Sequence, residues 1–545
     1  MIIGIDFGTS HTKFCCMEKD GNEDLLDAKV YNLLPSRIAA NKGISTMYFY
    51  SEKRGELLGE AAVSLSATPL KNRIDLKQNI GKKVKVDEVY IDINDAIKKF
   101  MKHCLNIANT RMDTLFGQQT NQVCISYPAN FSCSQRQEFI ELVESIPFDD
   151  QSHFEVCGTI AEPVAAALEY LTKTENMNEL FKNGKNANEK ISVLAYDLGG
   201  GTFDLALFTL YRNDDDDEQF TYNYMVECSD GLLRTGGRDF TNLIYLMMVE
   251  QLIKQLGEEV QFKEEDYARY RNDAELMKLQ LSDEESVTCS CLFESDYYDV
   301  EITRKDFEKK AMNMLQKTIQ KTKDMVTRSK LQPDVFLLTG GACNMPMVKR
   351  EIVKAFPQFK NRIYINKDNN MIVNGTVKYG VNEVNSDACM IVDDQLVKTK
   401  NGVQIDTRIP HDIGILYYDQ VSQEQIVCSY IKEGSLIPCE SEWIVSQKLM
   451  DSNKSEFTIY EANTPFPNYH KVDEDYHQIM KVQLTYDEVK KAGIFNQVKM
   501  CVDRKGVLTI YYKNCNDDEC QKASMQLTHL TYDERGQEDG NNAES

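Results

Sequence analysis

Short apolar runs alternate with amphipathic stretches over residues 1–385. Met1-Ile2-Ile3-Gly4-Ile5-Asp6 opens the chain as a strand, residues 123–127 read as another, and residues 164–173 carry helical spacing. Strands interleaved with helices predict an α/β architecture. Residues 176–189 are polar and rich in Asn and Lys, so they read as a surface insertion, and 213–218, with four consecutive aspartates, as a hairpin tip. The pattern changes near residue 386. From 409 to 515 the apolar runs are short, turn-punctuated and β-rich: 456–461, 479–484, 499–502 and 507–512, with 503–506 as a hairpin turn. Strands at this spacing without long helices predict a β-sandwich-like domain. Residues 386–408 then form a linker region. Residues 516–545 are a polar tail without the apolar content to fold.

Within the first region a pattern occurs twice. Ile2 to Asp6 is followed by Phe7-Gly8-Thr9-Ser10, and Val193 to Asp197 by Leu198-Gly199-Gly200-Gly201-Thr202; each copy then returns into a second strand. Glycine-rich hairpins let backbone N–H groups converge on an anion, because no Cβ blocks the approach. An aspartate at the strand end would repel a phosphate unless a divalent cation lies between, a task that suits magnesium. Two such turns predict a metal–nucleotide clamp between two similar lobes facing each other across a cleft. A third element, 335–346, is a buried strand, a Gly340-Gly341 turn and a helix opening at Pro346. Its glycines allow a flat nucleoside to lie on the backbone.

Charge narrows the function classes. Lys and Arg number 62 against 85 Asp and Glu, a formal net charge of −23. Such a chain repels phosphate backbones and anionic lipid, which argues against nucleic-acid and membrane-surface binders. No apolar run reaches the ~20 residues of a membrane helix. The opening carries no secretory signal, so the expected location is cytoplasmic. The 16 cysteines include no paired C-x-x-C zinc motif and many sit among apolar residues, so they are expected to be reduced and structural. Cys289 and Cys291 occupy alternate strand positions and share a face.

These motifs together resemble the 70-kilodalton heat-shock protein chaperones (DnaK-like), strongly over 1–385 and loosely on to 515. Further matches are 127–131 with Gln135-Arg136, similar to the family's proline-and-arginine switch, residues 161–170, similar to its connecting helix, and residues 235–240, similar to the loop carrying Gly236 and Gly237. The resemblance implies an actin-like (ribonuclease H-like) two-lobed ATPase domain over 1–385, followed by a β-sandwich-like domain over 409–515 that holds extended or unfolded peptide clients. It implies ATP/ADP and magnesium as cofactors. Asp6 and Asp197 would hold the metal through water. Gly8, Thr9, Ser10, Gly199, Gly200, Gly201 and Thr202 would line the phosphates, and Glu162 and Asp204 would position and polarise the attacking water. Glu275, Lys278 and Ser282, on one face of a helix, would grip the nucleoside with Gly340, Gly341, Asn344 and Asp368.

The sequence also departs from the family. Val63 stands where the resemblance places a phosphate-facing lysine, so slow hydrolysis is expected; one lost donor costs about 3 kcal/mol. Asn344 replaces an adenine-stacking arginine, and Gly158 and Ala161 replace the residues through which relatives meet J-domain co-chaperones. No helical lid pattern follows residue 515, and the sole tryptophan, Trp443, is expected in the β-domain core. An ATP-gated, non-catalytic scaffold of the same fold is the alternative. A small-molecule kinase of this superfold is disfavoured by the trailing β-rich region.

Overall fold

The structure is a computed structural model of the chain. It describes residues 1–17, 29–34, 43–63, 72–129, 131, 133–172, 190–214, 220–232, 235–257, 260–365 and 368–385, and within the C-terminal region 391–392, 395–396, 404–409, 412–419, 424–432, 435–437, 439–448, 454–462, 470–471, 476–485, 495–502, 508–514 and 521–523. The insertion at 176–189, most of the aspartate-rich tip, the 503–506 turn and the end of the tail lie outside the described residues. The chain divides into two compact units: Met1–Asn130, Val143–Tyr224 and Ser229–Gln404 form the first, and Phe131–Leu142, Met225–Cys228 and Ile405–Ser545 the second.

The first unit contains two sheets of matching topology. In one, Ile2–Phe7 pairs antiparallel with His11–Met17 and parallel with Gln122–Tyr127, which pairs parallel with Glu155–Ala161. In the other, Lys190–Leu198 pairs antiparallel with Phe203–Asp214 and parallel with Val335–Thr339, which pairs parallel with Ile363–Ile365. The sequence repeat is thus a repeat of sheet order, with each hairpin at the same place. The central strands are buried along almost their whole length, in keeping with near-continuous Ile, Val and Leu. Residues 164–173, read as a helix, correspond to Glu162–Leu171, with Pro163 in its first turn. That helix packs on Met371–Asn385, where a Cβ on Gly375 would lie 1.9 Å from Ala165 O. Beside this contact, Lys378 Nζ pairs with Glu169 Oε2 at 2.9 Å, both side chains buried.

The second unit contains a five-stranded sheet, ordered His470–Lys471, Glu424–Ile431, Asp412–Asp419, Lys454–Ala462, Tyr476–Thr485. A second sheet pairs Phe495–Val502 with Leu508–Asn514, Cys439–Glu440 and Ile444–Lys448. One core joins side chains of both sheets, among them Ile413, Ile415, Tyr430, Ile459, Val498, Met500 and Ile510. The sheet runs past residue 515, since Gln521–Ala523 pairs with Leu508–Asn514. Within 386–408, Thr407 and Arg408 already pair with Ile437 and Leu436. Trp443, expected in the core, is only half-buried; neighbouring Ile444 makes the core contact instead.

Candidate functional site

The two glycine turns of the first unit lie against each other. A Cβ at Gly200 would stand 2.4 Å from Ser10 Oγ, and one at Gly201 2.4 Å from Thr9 Cγ2. The approach of these turns is open only to glycine at both positions. Gly199 N–H donates to Thr202 O at 3.0 Å and closes the second turn, while Gly8 sits between strand and turn in the first. The loop at 235–240 clasps the second turn from behind: Gly237 N donates to Gly199 O and Arg238 N to Gly200 O, both at 2.8 Å. Gly236 N donates to Asp239 Oδ2 at 2.8 Å and starts the helix Gly237–Leu256.

Four carboxylates are buried around these turns: Asp6, Glu162, Asp197 and Asp204. The hairpin registers explain three of them, because Asp6 lies opposite Lys13 and Asp197 opposite Asp204 at the strand ends. Asp204 Oδ1 accepts from Ala129 N at 2.8 Å, just after Pro128. Burial raises Asp6, against the pull of Lys13 and Lys77. Burial, then the charges of Asp204 and Asp6, push Asp197 up to about 7. Burial pushes Glu162 up to about 8, opposed by Lys77 and supported by Asp204 and Asp6. Asp197 Oδ1 is buried without a hydrogen-bond partner. Buried carboxylates around the turns, short of positive charge and with Asp197 Oδ1 orphaned, suit a magnesium ion met through its waters.

Two cations complete the site: Lys77, a sequence candidate to substitute for the lysine absent at Val63, and Arg238, which lies in the 235–240 loop that the family resemblance marks. Lys77, in a short turn of helix after the strand Arg73–Asp75, is buried and bonded to Glu162, 85 residues away. Val63, the position read as a missing lysine, ends the short helix Glu60–Val63 and is half-exposed; the cation beside the acids is Lys77. Arg238 Nη2 donates to Thr9 O at 2.6 Å, its Nε to Ser10 Oγ at 3.1 Å, and its Nη1 pairs with Asp75. One guanidinium therefore ties the loop behind the second turn to the backbone and hydroxyl of the first. The contacts of both residues are with partners distant in sequence, which motif matching does not supply.

The nucleoside candidates divide. Lys278 Nζ donates to Glu275 Oε2, Thr241 Oγ1 and Gly237 O at 2.7, 2.9 and 3.0 Å, so the Glu275–Lys278 pair is joined to the phosphate-side loop. Ser282 lies in the turn just after the helix Glu264–Gln280, and its Oγ donates back to Lys278 O at 3.5 Å. Gly340 has φ +84, and a Cβ there would stand 2.4 Å from Asp197 Oδ1, so this turn abuts the acidic group. Gly341, Asn344 and Asp368 are exposed; Asp368 Oδ1 accepts from Asn370 N at 2.9 Å and shapes its own turn.

Among the described residues no helix is long and apolar enough to cross a membrane. Residues 101–539 match the family model described as Hsp70 protein. The chaperone protein DnaK of Thermosipho africanus is 26% identical over 390 residues, that of Thermotoga petrophila 27% over 397 and that of Buchnera aphidicola subsp. Schizaphis graminum 27% over 416. In each case the match covers 70% of this chain and 59% of the relative, so the chain spans about three-fifths of the length of these relatives. With a family match over most of its length, the chain belongs to the Hsp70 family.

Proposed function

We propose that the first unit binds ATP and ADP with magnesium between the Gly8–Ser10 and Gly199–Thr202 turns, and hydrolyses ATP slowly to control binding of extended peptides by the β-rich second unit. The observation that carries this reading is the apposition of the two turns beside four buried carboxylates and one buried lysine. Magnesium would supply charge neutralisation to the phosphates there, held through water by Asp6 and Asp197. Backbone N–H groups of both turns orient the phosphates. Glu162, fixed by Lys77, and Asp204, fixed by Ala129 N, hold the attacking water and accept its proton. Lys77 offers a donor to the phosphate that is transferred. Glu275 and Lys278 hold the ribose side; the exposed Asn344 offers no planar cation for stacking, so preference for adenine over guanine is weak.

Calorimetric titration with ATP and ADP, with and without magnesium, tests the clamp. Tight binding that depends on magnesium and is lost in Asp6→Asn and Asp197→Asn is expected; binding unchanged in both variants refutes it. Hydrolysis is tested in single turnover. Val63→Lys is expected to raise the rate by less than Lys77→Ala lowers it, because Lys77 already serves the acidic cluster. The alternative, an ATP-gated scaffold without turnover, draws on Val63 and on the lack of a helical lid pattern after residue 515. Extended peptide that accelerates ATP turnover favours the chaperone reading.

A further inference from the structure

A second group of metal-binding side chains lies outside the nucleotide site. Asp273 sits on the helix Glu264–Gln280, and Cys289 and Cys291 on the strand Ser286–Phe293 that packs on it. The two strand positions are two residues apart, so their thiols share the face turned to the helix. Their sulfurs are 4.0 Å apart. Carboxylate oxygen and both sulfurs all lie within 4.8 Å of one another, with Cys291 buried and the other two half-buried. We propose that Asp273, Cys289 and Cys291 form a three-ligand site for a thiophilic divalent cation of the zinc class, stapling the helix to the hairpin.

The geometry suits such an ion. Zn–S bonds of about 2.3 Å at the tetrahedral angle place two sulfurs about 3.8 Å apart, close to the spacing found here. The Asp273 carboxylate oxygen lies within 4.8 Å of both sulfurs, and Asp273 and Cys289 are half-buried. Two thiolates and a carboxylate around a divalent ion carry one net negative charge. Arg269, whose charge acts on both Asp273 and Cys291, balances it. The guanidinium is held beside the site by Asp266 Oδ1 at 2.5 Å and Leu292 O at 2.6 Å. Magnesium is a poor match, because thiolates favour softer ions. The ligand spacing also couples two sites: Asp273 precedes Glu275 by two residues on the helix that carries the Glu275–Lys278 pair, so an ion here would stiffen the element that reaches the Gly237 loop.

The test uses the full chain, reduced and stripped of metal, titrated with cadmium. Thiolate-to-cadmium charge-transfer absorbance reports binding, and zinc competes it away. One equivalent is expected at this site, together with slower amide hydrogen exchange in residues 264–280 and 286–303. Loss of one ligand should weaken binding by roughly 10–100-fold, at least the cost of disturbing a ligand's supporting contacts. Cys289→Ser, Cys291→Ser and Asp273→Asn should each show this loss, while Cys157→Ser, a half-buried thiol on another sheet, should not. Equal cadmium affinity in wild type and the Cys289→Ser/Cys291→Ser double variant overturns the site. Unchanged affinity in Asp273→Asn removes the helix ligand, and with it the staple. Neither outcome touches the nucleotide reading, which calorimetry with magnesium and ATP decides separately.

Discussion

At the residue scale, the acidic cluster places more carboxylates than cations in a buried space. Burial raises Asp6, Asp197 and Glu162, and neighbouring carboxylates add to it for Asp197, pushed up to about 7, and Glu162, pushed up to about 8. A carboxyl whose folded pKa exceeds its unfolded value stabilises the fold while protonated, and that contribution fades as pH rises toward the folded pKa. The nucleotide-free chain should therefore lose melting temperature between about pH 5 and pH 8, in the window these shifts define. Asp197→Asn should flatten the slope, and magnesium, whose charge favours the ionised carboxylates, should reduce it. Thermal scans across this range measure all three; a slope identical in wild type and variant would show that Asp197 titrates normally. Lys77 is the other decisive residue. Lys77→Ala leaves Glu162 buried without its partner, and single-turnover hydrolysis should fall on the order of 10²-fold. The aspartates are legible in the sequence because each ends a strand next to a glycine turn. For Lys77 the sequence offers a candidate cation but not its partner, a carboxylate 85 residues away.

At the element scale, the helices Glu162–Leu171 and Met371–Asn385 cross so closely that Gly375 faces a backbone carbonyl. In an exposed helix, Gly→Ala is stabilising by about 1 kcal/mol. Here the sign reverses, because Ala165 O cannot move away as a flexible side chain would. Gly375→Ala should destabilise the chain by about 3 kcal/mol, the upper range for forced overpacking, read by chemical denaturation. A neutral result would mean that the helices separate freely. The buried Glu169–Lys378 pair marks the same crossing, and truncating only Lys378 would leave a carboxylate uncompensated. Periodicity and Pro163 mark the first of these helices in the sequence, but spacing alone also carries Ser282 onto a helix that stops at Gln280. A helix end is set by its capping groups and by the direction the chain must take into the next strand, so a seven-residue extrapolation overruns the last turn.

At the scale of the whole molecule, the chain builds two units, each with its own buried core. Unfolding of such a chain need not be a single cooperative step. Calorimetric scanning should resolve two transitions, with magnesium and ATP raising only the one that belongs to the first unit. At ligand near 100 times its dissociation constant the shift corresponds to about 2.7 kcal/mol. One transition that moves as a whole would show that the units unfold together. The change in pattern near residue 386 announces a β-rich C-terminal region, while the strands Gln404–Arg408 and Gln521–Ala523 extend regular structure into stretches read as linker and tail. Those strands are too short and too polar to carry a periodic signal, and exist because a neighbouring strand offers hydrogen-bond partners.

The sequence by itself determined the duplicated strand–turn–strand units, the acid at the end of each and the change to β structure, because turn chemistry and apolar periodicity act over a few residues. Tertiary structure alone decided that Lys77 meets Glu162, that Arg238 bridges to Thr9 and Ser10, and that Asp273 stands beside Cys289 and Cys291. Those encounters join residues far apart in the chain, and only the packing of sheets and helices fixes which side chains share a space.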